Sequence, residues 1–60
     1  MMSPEEFAER MKKIRDKLYL NEDDCEYAHI KADDLLCEVL IDLGYFEGIS
    51  IYLSMDKWYA

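Results

Sequence analysis

Sixty residues with 52% hydrophobic side chains make one domain at the lower limit of size for a self-contained core, and the composition is that of a folding chain rather than a disordered tail. A formal net charge of −7 repels phosphate backbones, which argues against direct nucleic-acid binding and favours partners with a basic surface. No apolar run approaches the roughly 20 residues that a bilayer span needs, so no membrane association is expected.

The first element is announced by Ser3-Pro4-Glu5-Glu6. A capping Ser precedes Pro at the first helical position, and Glu at the third position suits a capping box. Phe7, Met11, Ile14 and Leu18 then recur at i, i+4, i+7 and i+11, which predicts an amphipathic helix over 4–19 with a narrow apolar stripe. Residues 1–17 hold five basic and four acidic side chains; residues 18–60 hold two basic and ten acidic. The acidity is therefore a property of the rest of the chain.

Asn21-Glu22-Asp23-Asp24 reads as a turn leading into a second helix, expected over 25–43 and ended by Gly44 in the left-handed region. At 100° per residue, Ala28, Ala32, Leu35, Leu36, Val39, Leu40 and Leu43 fill one broad arc. Ile30, Cys37 and Ile41 form a second stripe beside it, while Lys31, Asp34, Glu38 and Asp42 make a narrow polar strip. A helix with two apolar sides and one wet side is the central member of a small bundle. The second stripe exceeds what so short a chain is expected to cover by itself, which points to another chain as its cover.

Residues 46–55 are read as a third helix followed by an aromatic tail. The alternation of Ile49, Ile51, Leu53 and Met55 also fits a strand, but a lone strand would leave its backbone groups without a partner in this chain. The expected fold is thus all-α, a single domain over 1–60 forming a small three-helix bundle with a long central helix. On one reading a homodimer completes it.

Cys25, His29, Asp33 and Cys37 recur at four-residue spacing. Each step drifts about 40° around a helix, so only neighbours in the series could share a ligand. A structural zinc site needs four ligands, and no second Cys/His pair is available, so no metal or other cofactor is expected. A disulfide between Cys25 and Cys37 is excluded if both lie on one helix, about 18 Å apart along its axis. The opening MMSPEEF has no basic or apolar leader region, and the chain reads as intracellular with two reduced thiols. His29 projects into the apolar arc with Asp33 one turn on, which suggests a partly buried structural polar pair. Catalysis would also require a nucleophile, a pocket and an oxyanion donor; a metal- or His-dependent hydrolase is the weakest reading, and no enzyme is expected.

The motif His29-x-x-x-Asp33-x-Leu35-Leu36-Cys37, with Leu43-Gly44-Tyr45 and Met55-x-Lys57-Trp58-Tyr59-Ala60, resembles short proteins of phages, prophages and Firmicutes-type bacteria. The resemblance covers about half the chain and carries context without a mechanism. It implies a bacterial cytoplasm as the site of action and, as a role, the binding and blocking of a host defence or nucleic-acid-handling protein. On that reading the partner-binding residues are Glu22, Asp23, Asp24, Asp34, Glu38 and Asp42, with Ile30, Cys37, Ile41 and Trp58 as apolar anchors. The alternative is a homodimeric structural or assembly accessory whose second stripe is self-complementary.

Overall fold

The computed structural model describes residues 1–56 and contains three helices, α1 (Pro4–Tyr19), α2 (Cys25–Asp42) and α3 (Phe46–Ser54). The protein is all-α, and residues 46–54 are helix and not strand. No helix among the described residues is long and apolar enough to cross a membrane.

Each helix start has a local cause. Ser3 Oγ accepts the Glu6 amide at 3.1 Å and Pro4 opens α1. The Glu6 carboxylate is engaged one turn further on by Arg10 Nη2 at 2.9 Å. Asp24 caps α2 by accepting the Tyr27 amide at 2.7 Å. Lys31 lies between Asp23, 3.2 Å from its carboxylate, and the ring of Tyr27, and so ties the turn to the first part of α2.

Both long helices end in the same way. Asn21 takes φ +59° after α1, and the Glu22 and Asn21 amides donate to the carbonyls of Lys17 and Leu18. Gly44 takes φ +95° after α2, and the Tyr45 and Gly44 amides donate to the carbonyls of Leu40 and Ile41. These are paired Schellman closures. Asn is among the few residues other than Gly that enter the left-handed region readily, because its short side chain bonds locally.

α1 and α3 both pack on α2 and not on each other. The Cα trace spans 35 × 30 × 10 Å, so the three helices lie in a layer one helix thick. Its radius of gyration is 12.5 Å, against about 10.4 Å for a compact chain of this length. The core is correspondingly slight. Ala28, Leu35, Cys37 and Ile49 are buried, no described side chain is fully sealed, and α1 buries none of its own residues.

Candidate protein-interaction surface

α2 is the middle of the layer, so a helix packs on each of two opposite sides and the other two sides form the faces of the layer. Measured from Ala28, the buried Ala28 and Leu35 lie near 0° and face α1, while Cys37 lies near 180° and faces α3. The two remaining sides are the faces of the layer. Leu36, Leu40 and Leu43 stand on one, with His29 nearer the start of the helix; Lys31, Asp34 and Glu38, with Asp42 toward the α1 edge and Ile30 and Ile41 toward α3, stand on the other.

The leucine face is hollow. A groove of about 450 Å³ between α1 and α2 is lined by Met2, Phe7, Leu36, Val39, Leu40 and Leu43, with Asp42 at its margin. A second, of about 550 Å³ between α2 and α3, is lined by Leu36, Cys37, Leu40, Tyr45, Ile49 and Tyr52. Leu36 and Leu40 belong to both, so the two hollows form one continuous apolar surface. Leu36 remains 47% exposed and Leu43 54%.

This arrangement corrects one apolar anchor of the sequence reading, Cys37. Cys37 is only 6% exposed because the second stripe is where α3 docks, so it is not available as an anchor. Ile30 and Ile41 keep 38% and 37% of their surface. Leu40 is exposed to the same degree as these two, and the most open aliphatic positions along α2 and its C-cap are Leu36 and Leu43 on the broad arc. The stripe on α1 is too narrow to cover the whole of that arc. Met2, Phe7, Tyr45 and Tyr52 join this surface and were not among the expected contact residues; the mismatch between a narrow stripe and a wide arc was the sequence signal for it. Trp58 lies outside the described residues.

The acidic candidates divide as well. Glu22, Asp34 and Asp42 are exposed. Glu38 accepts Arg10 Nη1 at 3.1 Å, Asp23 is held by Lys31, and Asp24 is occupied as the α2 cap. Half of the expected acidic contacts therefore already have partners within the chain.

His29 is exposed, where the wheel suggested partial burial, and borders a shallow depression of about 140 Å³ lined by Met11, Ile14, Leu18 and Ala32 among others. The broad arc is not dry at His29 because α1 meets α2 along the Ala28–Leu35 side. Asp33 is half-buried and accepts the Tyr52 hydroxyl at 2.9 Å. That hydrogen bond, followed by the cost of desolvation and the nearby charge of Asp33, holds the Tyr52 pKa above the ordinary value of 10.0.

Cys25 is an exposed thiol and Cys37 a buried one. Among the described residues, no group of three or more His, Cys, Asp or Glu side chains comes together as a metal site. No protein-family model, curated protein or solved structure matches the chain.

Proposed function

We propose that this chain is a small acidic protein-binding module that acts by occupying a partner's surface, without bond-making chemistry of its own. The observation that supports this reading is the separation of charge from grease on α2. Asp34 and Glu38 lie across the helix from Leu36 and Leu40, and with Lys31 engaged by Asp23 and Arg10 by Glu38, the open charge left on that side of α2 is the carboxylate of Asp34 with Asp42 at the edge. An acidic helical face is suited to a basic protein surface, including one that otherwise holds a nucleic-acid backbone. Attraction of this kind speeds encounter and selects partners more than it adds raw affinity. The likeness to phage and prophage proteins fits a blocking role against a host defence or nucleic-acid-handling protein in the bacterial cytoplasm.

Glu22 and Asp34 are the residues to test, since both are exposed, neither lines the grooves and neither is a helix cap. Wild-type bait and a Glu22→Lys/Asp34→Lys variant are compared in capture from a bacterial lysate at graded salt. The expected result is a protein retained by wild type, released as salt rises, and not retained by the charge-reversed bait. Retention that ignores both salt and charge reversal overturns the acidic-face reading. A second reading, self-association as a structural accessory, is favoured by the uncovered leucine face.

A further inference from the structure

We infer that a second copy of this chain covers the apolar face, giving a two-layer, six-helix homodimer in which α2 packs on α2 of the other copy through Leu36 and Leu40.

Three observations carry the choice of occupant. The first is layering. Globular domains bury their apolar faces between at least two packed layers, and this chain supplies one, about 10 Å thick between Cα extremes. The second is area. A compact monomer of 7.2 kDa exposes about 4100 Å², whereas this chain exposes 4820 Å². The difference is roughly 700 Å², close to the ~800 Å² that each partner contributes to a standard interface.

The third is charge. Each copy carries −7, so two copies can meet only where little of that charge is opposed. The groove linings are apolar apart from Asp42 at one margin, Ser3 and the Tyr45 and Tyr52 hydroxyls. Pairing through the leucine face turns Asp34 and Glu38 of both copies outward. Pairing through the opposite face would set Asp34 near its counterpart, with Lys31 and Arg10 already engaged by Asp23 and Glu38 of their own chain.

An isologous pairing also answers the shape of the surface. α2 runs through the middle of the layer with a hollow on each side of Leu36 and Leu40. A two-fold axis beside α2 lets the side chains of each copy enter the hollows of the other. This inference does not depend on the acidic face having a partner, because the two proposals use opposite sides of the layer.

The test is mass in solution by sedimentation equilibrium at micromolar concentration, for wild type, Leu40→Glu and Ile51→Glu. Ile51 is exposed and lines neither groove, so it controls for added charge at an apolar surface position. Twice the chain mass for wild type and Ile51→Glu, with a single chain mass for Leu40→Glu, is the expected result. A wild-type monomer, a Leu40→Glu dimer or an Ile51→Glu monomer overturns the assignment. Should Leu40→Glu lose its helical circular dichroism, the wild-type thermal midpoint decides. A midpoint that climbs with protein concentration supports the dimer, and a constant one overturns it.

Discussion

Tyr52 Oη donates a hydrogen bond to Asp33 Oδ2 at 2.9 Å, joining α3 to the middle of α2 across nineteen positions of sequence. α3 is the shortest helix and begins without a side-chain cap. Ile49, buried toward α2, and this hydrogen bond both hold it on α2. Arg10 and Glu38 make the equivalent polar link on the other side, from α1 to α2, at 3.1 Å between two half-exposed side chains. A pair so open to solvent contributes only about 0.2–1 kcal/mol, so it orients α1 more than it anchors it.

The Tyr52 link makes stability depend on alkaline pH. Because the folded chain holds the tyrosine proton more tightly than an unfolded one does, the contribution is complete below pH 10.0 and is lost as pH rises through the higher folded value. Tyr52→Phe removes the link at every pH. Urea denaturation near neutrality is therefore expected to show wild type more stable than Tyr52→Phe, with the gap narrowing as pH rises through the folded Tyr52 value. A gap that does not narrow at alkaline pH would show that the hydroxyl contributes nothing through Asp33.

Asp24 accepts the Tyr27 amide as the α2 cap, and this role is separable from its charge. Asp24→Ala is expected to lower unfolding free energy by about 1 kcal/mol, whereas Asp24→Asn, which still accepts the amide, loses much less. The comparison is read from denaturation midpoints at unchanged slope. Equal losses in the two variants would assign the effect to charge near the helix dipole and not to the hydrogen bond.

The two thiols report on α3 docking. Cys25 is exposed at the start of α2, and Cys37 is buried on the α3 side. A thiol-specific chromogenic reagent is expected to modify one equivalent at once and the second only as the α2–α3 contact opens. Cys25→Ser removes the fast phase. If Cys37 reacts as quickly as Cys25 in the native protein, α3 does not cover it in solution.

Much of the local architecture is legible in the residues because its causes act within a turn or two. Ser3 and Pro4 start α1, and Gly44 ends α2 with the expected left-handed backbone. Asn21 was legible only as part of a polar turn; its left-handed conformation depends on the Lys17 and Leu18 carbonyls being there to accept the returning amides. The arcs on α2 were also legible, but not their covers. A helical wheel gives the angle between Cys37 and Leu36 without saying on which side the next helix returns.

The candidate site was harder to read for the same reason. Leu36, Leu40 and Leu43 looked like core because they continue the arc that begins at Ala28, and Cys37 looked like surplus because it falls outside that arc. Burial reverses the roles of Leu36 and Cys37: Leu36 is 47% exposed and Cys37 6%. Glu38, which the charge pattern offers as a contact for a partner, meets Arg10 from a helix that precedes it by many residues. No local pattern announces such a pairing.

The order of residues alone determined that the described residues form three helices and that the acidity falls on residues 18–60, since caps, periodicity and charge are written over a few neighbouring positions. Only the tertiary structure decided that those helices lie side by side in one layer, with α3 over Cys37 and Leu36, Leu40 and Leu43 left partly open. Burial belongs to pairs of elements, and where α1 and α3 come to rest against α2 is settled by packing across the chain.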